Sequence, residues 1–322
     1  MEGNLLVSAK NIKKYFPIRS TGFFARNLGY VKAVDGVSFD LYKGDTLGIV
    51  GESGCGKSTM GRLLVNLLEP TEGEVIFDWQ SLSALNKQEM RKMRRRMQFV
   101  FQDPYASLNP RMTVGAALQE PLIIHGIGNS AEHWETIAAL LATVGLDRRH
   151  ADYYPHEFSG GQRQRIAIAR ALVTHPDLIV ADEAVSALDV SIQAQILNLL
   201  QDLQQEFALT YLFISHDLSV IKRVSNKVGV MYLGRMMEFA DKKELFANPL
   251  HPYTQALLAA APSLRPGGKN KIILEGDAAG VSAPLAGCVF HTRCPRRASV
   301  CAKESPELAG ADGGHKVACH FA

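Results

Sequence analysis

The apolar run TLGIV at Thr46–Val50 leads into a glycine-rich turn, and KSTMGRLLVNLL behind it repeats its apolar positions at helical spacing. A strand, a loop and a helix are predicted in that order. Further short β-rich runs fall at Val75–Phe77, Met97–Phe101, Leu178–Ala181, Tyr211–Ile214 and Val228–Tyr232, with amphipathic helical stretches between several of them. Such alternation predicts a mostly parallel α/β sheet. Between about Thr113 and Tyr154 the pattern is helical alone, as in AEHWETIAALLATVGL, which predicts a helical subdomain at about residues 113–160 inserted into the α/β core. After Pro252 the stretches APSLRPGGKNK and AAGVSAPLAG are rich in Pro, Gly and Ala, as linkers and loops are. The chain therefore divides into a core of residues 1–250 and a small C-terminal extension of residues 251–322.

Composition narrows the classes. The 322 residues are 47% hydrophobic, enough for one large or two modest buried cores. No stretch reaches the roughly 18 apolar residues of a spanning helix. The start MEGNLLVSAKNIKKYF lacks the basic and apolar regions of a secretory signal, so a cytosolic location is expected, with docking at a membrane left open. A balance of 35 Lys+Arg against 32 Asp+Glu gives no concentrated basic face of the kind that holds nucleic acid. The basic run RKMRRRM, Arg91–Met97, is read as solvated helix surface. Of five cysteines, Cys55 stands alone, whereas Cys288, Cys294, Cys301 and Cys319 crowd into the last 35 residues, a distribution that favours metal over disulfides in a reducing compartment.

Gly51-Glu-Ser53-Gly54-Cys55-Gly56-Lys57-Ser58 matches G-x-x-x-x-G-K-[ST] between a predicted strand and a predicted helix, the context a P-loop requires. Glycines let successive N–H groups turn toward phosphate oxygens and the helix N-terminus adds partial positive charge. Lys57 reaches the terminal phosphates, Ser58 offers a hydroxyl to Mg²⁺, and Thr59 follows in the first helical turn. Cys55 is read as a loop filler whose thiol is open to alkylation. A second carboxylate for the magnesium shell comes from Asp182, at the end of the apolar run LIVAD, and Glu183 beside it is placed to polarise the attacking water. Ser159-Gly160-Gly161-Gln162 opens the helix QRQRIAIARAL and makes a second helix N-terminus suited to phosphate.

A P-loop together with this second element resembles the ATP-binding subunits of ABC transporters. The resemblance implies an ABC ATPase fold within the P-loop NTPases, and a head-to-tail dimer in which Ser159, Gly160, Gly161, Gln162 and the D-loop residue Asp189 reach ATP held by the opposite subunit. It implies that Gln102 is the Q-loop glutamine at Mg²⁺ and that His216 is the switch histidine at the γ-phosphate. Phe16, with Tyr15 as the other choice, is implied to stack on adenine ahead of the first sheet strands. The family usually carries Pro after the glutamate; here Ala184 follows, both acids remain, and hydrolysis is expected to survive.

His251-Pro252-Tyr253-Thr254 and the phrases FQDPYASLNPRMTVG and VSALDVSIQAQILNLLQDLQ resemble the dipeptide and oligopeptide importers within that family. Nickel and other small-solute importers share much of the pattern. The late cysteines are spaced C-x5-C-x6-C-x17-C, a poor match to the paired C-x2-C of zinc ribbons. Four thiolates can hold a [4Fe–4S] cluster, and the resemblance to peptide importers implies one, with zinc as the alternative. The implied partners are a second ATPase chain, expected to differ from this one, two transmembrane permease subunits and an extracytoplasmic peptide-binding protein, but no nucleic acid. The implied place is the cytoplasmic face of the inner membrane. Two rival classes are a soluble ABC clamp on nucleic acid or ribosomes, which usually has two cassettes or a long coiled-coil insertion, and a metal-sensing regulator.

Overall fold

Val37, Phe39 and Leu41 alternate with polar neighbours and are buried while those neighbours face out, the period of a strand with one covered face. They belong to a long second strand that the sequence reading lacks. The computed structural model describes residues 4–19, 27–260, 286–310 and 314–322. The expected linker stretches APSLRPGGKNK and AAGVSAPLAG lie outside the described residues except for Ala286 and Gly287.

In chain order the strands are β1 (Leu5–Arg19), β2 (Asn27–Tyr42), β3 (Thr46–Val50), β4 (Glu72–Phe77), β5 (Gln80–Ser81), β6 (Met97–Val100), β7 (Leu178–Asp182), β8 (Thr210–Ser215), β9 (Lys227–Tyr232), β10 (Arg235–Asp241) and β11 (Lys316–Val317). The α-helices are α1 (Lys57–Leu64), α2 (Lys87–Arg96), α3 (Pro104–Ser107), α4 (Val114–His125), α5 (Ser130–Thr143), α6 (Gly160–Leu172), α7 (Val190–Phe207), α8 (Leu218–Val224), α9 (Lys242–Ala247) and α10 (Pro252–Ala260). The chain forms two compact units: Met1–Asn4, Tyr42–Asp45 and Ala84–Ile214 make the first, and Leu5–Leu41, Thr46–Ser83 and Ser215–Ala322 the second.

In the first unit β6, β7 and β8 run parallel, with Met97 opposite Leu178 and Leu178 opposite Thr210. Every residue of β7 and β8 is buried, as expected of parallel strands covered on both faces. The helices around them carry clear stop and start signals. Asn86 with Glu89, and Asn129 with Glu132, form capping boxes at α2 and α5, and α4 ends on Gly126 in the left-handed conformation. Residues 114–157 contain helices and 3-10 turns but no strand, as the sequence pattern predicts.

In the second unit β3 pairs parallel with β9, β9 antiparallel with β10, and β10 antiparallel with β11. A separate four-stranded sheet has the order β2-β1-β4-β5, with β1 and β4 antiparallel from Val7 opposite Phe77 to Lys13 opposite Glu72. The expectation of a mostly parallel sheet is thus corrected for this unit. β1 and β2 mix charged residues into their pattern, so they read weakly as strands. The described part of the C-terminal extension belongs to this unit. Fully buried Phe290 packs against Tyr232, Tyr253 and His251, with ring centroids 5.3, 5.3 and 5.6 Å away. Buried Glu238 accepts hydrogen bonds from the Leu250 and His251 amides at 2.8 and 3.0 Å, and its contact with His315 Nε2 at 2.7 Å ties the chain beside β11 to β10.

Candidate nucleotide-binding residues

The P-loop sits between β3, buried throughout, and α1. A Cβ on Gly56, at φ +105°, would lie 1.9 Å from the Ala33 carbonyl oxygen, and one on Gly51 would lie 2.2 Å from the Met231 oxygen. Only glycine fits either place. Lys57 is buried, and its ammonium donates to the Gly51 and Glu52 carbonyls at 2.7 and 2.8 Å. Ser53 and Gly54 are exposed, and Ser58 and Thr59 are half-buried in the first turn of α1. This gives the chemistry of a phosphate cradle: open backbone, a helix N-terminus and a fixed cation.

Cys55 departs from its sequence expectation. It is buried, and burial pushes its pKa up against the pull of nearby Lys57, so its thiol stays neutral and shielded. The expectation that the adenine-stacking aromatic lies ahead of the sheet strands is corrected. Tyr15 and Phe16 lie inside β1, not before the sheet, and the Tyr15 hydroxyl is engaged by Asp35, whose carboxylate also takes Arg235 Nη2 at 2.7 Å. Phe16 is exposed, with the Lys14 ammonium 5.4 Å from its ring centre. His216 is also exposed, just beyond β8 and ahead of Asp217, the N-cap of α8.

In the first unit, Asp182 closes β7 and is buried, and Glu183 follows at φ +48°. The Glu183 amide donates to the Ile214 carbonyl at 2.9 Å, so neighbouring β8 holds the turn. Gln102 Nε2 donates to Glu183 Oε2 at 2.8 Å. Ser159 caps α6 and shares a capping box with Gln162, leaving an exposed helix start. A Cβ on Gly160 would meet Leu188 at 3.6 Å and one on Gly161 would come within 2.5 Å of Ile192, so the two glycines lie beside the chain around Asp189. Asp189 is exposed as the N-cap residue of α7.

The arginines of α2 are more than a solvated face. Arg91 donates to the Ile124 carbonyl, and Arg96 pairs with Asp177. Both side chains tie α2 to other parts of its unit.

The four late cysteines share the second unit. The Cys288 amide donates to the Cys301 carbonyl at 2.8 Å, and the Cys288 thiol lies within electrostatic reach of Cys294, Cys301 and Cys319. Burial pushes the pKa of the Cys288 and Cys294 thiols up. Among the described residues, no group of three or more His, Cys, Asp or Glu side chains is disposed to hold a metal ion.

Two residues outside the sequence reading border the P-loop. Tyr253 Oη accepts from the Glu52 amide at 2.9 Å, and Arg293 Nη1 donates to the Glu52 carboxylate at 2.8 and 3.1 Å. Tyr253 sits in the HPYT phrase noted for resemblance alone. Arg293 precedes Cys294 and carries no local signal of its partner.

Comparison with known proteins gives a consistent picture. The family model for ABC transporters matches residues 34–186, and that for the oligopeptide/dipeptide transporter C-terminal region matches residues 237–301. The oligopeptide transport ATP-binding protein AppF of Bacillus subtilis (strain 168) is 56% identical over 320 residues, covering 98% of this chain and 97% of its own. The dipeptide transport ATP-binding protein DppF of Escherichia coli (strain K12) is 50% identical, covering 98% and 93%. Among solved structures, a dimeric post-hydrolysis state of the ATP-binding cassette MJ0796 bound to ADP and Pi is 31% identical, with a TM-score of 0.66. It covers 74% of this chain and 99% of that one.

Proposed function

The chain belongs to the ATP-binding subunits of oligopeptide and dipeptide ABC transporters, and from that premise we propose that its ATPase cycle powers uptake of short peptides. The observation that carries this reading is the buried Lys57 ammonium held on the Gly51 and Glu52 carbonyls, inside a turn where no side chain fits. Gly51, Ser53, Gly54, Cys55, Gly56 and Thr59 contribute the cradle, and Lys57 takes the β- and γ-phosphate charge. Phe16 stacks on adenine; its exposed ring, beside a Tyr15 whose hydroxyl is already engaged, supports that choice.

Water attacks the γ-phosphorus as the bond to the ADP oxygen breaks, and Glu183 orients that water and takes its proton. Ser58, Gln102 and Asp182 would hold Mg²⁺, which when bound neutralises phosphate charge. His216 donates to the γ-phosphate. Ser159, Gly160, Gly161, Gln162 and Asp189 serve the ATP of a second ATPase chain. The exposed, Ser159-capped start of α6 supports that role.

The proposed assembly contains a second, different ATPase chain, two permease subunits and an extracytoplasmic peptide-binding protein at the cytoplasmic face of the inner membrane. Among the described residues no helix is long and apolar enough to cross a membrane. Cys288, Cys294, Cys301 and Cys319 are proposed to ligate a [4Fe–4S] cluster, with zinc as the alternative. The crowding of four cysteines into the last 35 residues supports that reading. Bound there, the cluster would cross-link a loop-rich segment.

The test is reconstitution with the permease and binding protein. Uptake of a labelled oligopeptide is expected to require ATP and to stop with Lys57→Ala. ATPase stimulation by nickel but not by peptide would overturn the peptide reading, and stimulation by DNA or ribosomes would favour a soluble clamp. Iron and sulfide in the anaerobically purified protein are expected; one equivalent of zinc in a colourless protein would overturn the cluster.

A further inference from the structure

Glu52 puts a carboxylate on the loop whose backbone is shaped for phosphate. An uncompensated negative charge there opposes a triphosphate. The C-terminal extension supplies the compensation. Arg293 Nη1 reaches both Glu52 oxygens, at 2.8 and 3.1 Å, and the Arg293 side chain is only 9% exposed. Its guanidinium lies 5.8 Å from the centre of the Tyr232 ring, and its Nη1 is 3.4 Å from the Tyr232 hydroxyl. The backbone behind it is fixed too: the Arg293 amide donates to the carbonyl of fully buried Phe290 at 3.1 Å.

Every polar group of Glu52 is thereby held. Its amide donates to Tyr253 Oη, its carbonyl accepts from Lys57 Nζ, and its carboxylate accepts from Arg293. Two of these three partners belong to residues 251–322, outside the P-loop motif.

We infer that Arg293 is a positioning residue for ATP: it neutralises and fixes Glu52, so that the cysteine-bearing turn of the extension sets the affinity of the phosphate loop. The inference rests on the P-loop reading above. Because Cys294 is the next residue, a ligand bound by the cysteines is one peptide away from the side chain that governs nucleotide affinity.

The sign of the double substitution tests this. Nucleotide affinity is read on the full-length chain with a fluorescent ATP analogue, and KM and kcat on the assembled importer. Arg293→Met is expected to weaken binding about tenfold, the scale of one partly screened charge, and to raise KM with little change in kcat. Arg293→Lys is expected to recover much of that loss. The pair Glu52→Gln with Arg293→Met is expected to bind better than Arg293→Met alone, because the carboxylate is gone as well. An unchanged affinity in Arg293→Met overturns the inference, as does a double variant no better than the single one, including one in which both fail to fold. Lys57→Ala separates the two readings: if it retains wild-type affinity the P-loop assignment falls, and if it alone loses affinity only the Arg293 inference does.

Discussion

Gln102 Nε2 donates to Glu183 Oε2 at 2.8 Å, joining the residue after β6 to the residue after β7. Glu183 is held from two further sides, by its own amide on Ile214 and by the Ser186 hydroxyl on its carbonyl at 2.9 Å. A left-handed, non-glycine residue so restrained holds backbone strain. Glu183→Gln keeps the shape and removes the base, so kcat is expected to fall about 10²- to 10⁴-fold while ATP binding persists. Steady-state hydrolysis near the wild-type rate would remove Glu183 from the chemistry. Gln102→Ala removes one restraint and leaves the carboxylate, and a smaller loss is expected from it in the same assay.

The Gly161 position has no room for a larger residue, since a Cβ there already approaches Ile192 to 2.5 Å. Gly161→Asp adds bulk and negative charge at the start of α6, where phosphate is to be received. The variant chain is expected to keep its nucleotide affinity, because its own P-loop is untouched, but its mixture with the second ATPase chain is expected to lose ATP-dependent association and hydrolysis. Size-exclusion chromatography with ATP checks the first loss and phosphate release the second.

These residues show what a sequence makes visible. β3, β7, β8 and β9 are short, apolar and nearly continuous, and they abut motifs with fixed spacing, so both strand and chemistry could be read together. β1 could not. NIKKYFPIR carries charged residues, Asn11 sits at φ +46°, and the pairing with β4 shifts register between Lys10 and Lys13, which blurs the period of two. Placing Phe16 ahead of the sheet followed from missing that strand. The Glu52–Arg293 pair is hidden for another reason: 241 residues separate its members, and no local pattern records a long-range charge pair.

Cys55 gives a prediction from burial. Its folded pKa is raised chiefly by desolvation, so at any pH below that value it holds less thiolate than a free cysteine. Maleimide labelling of the native chain at pH 7 to 8 is expected to leave Cys55 as the slowest cysteine, with labelling restored in denaturant. Peptide mass spectrometry checks this, and rapid native modification of Cys55 would contradict its burial.

Asp35 predicts an acid limit. Burial pushes its pKa up, but the hydrogen bonds from Tyr15 and Arg235 and the charges of Arg235 and Lys32 more than offset this, and the net shift is downward. A carboxyl whose pKa is lower folded than unfolded stabilises the fold above its unfolded pKa of about 3.9, and that contribution fades as pH falls through the lower folded value. Asp35→Asn removes the charge at every pH. The variant is expected to be less stable than the wild type in urea at pH 7, and the difference is expected to shrink as the pH drops below about 4. A stability gap that stays constant from pH 7 to pH 3 would show that Asp35 acts through packing alone and not through its ion pair with Arg235.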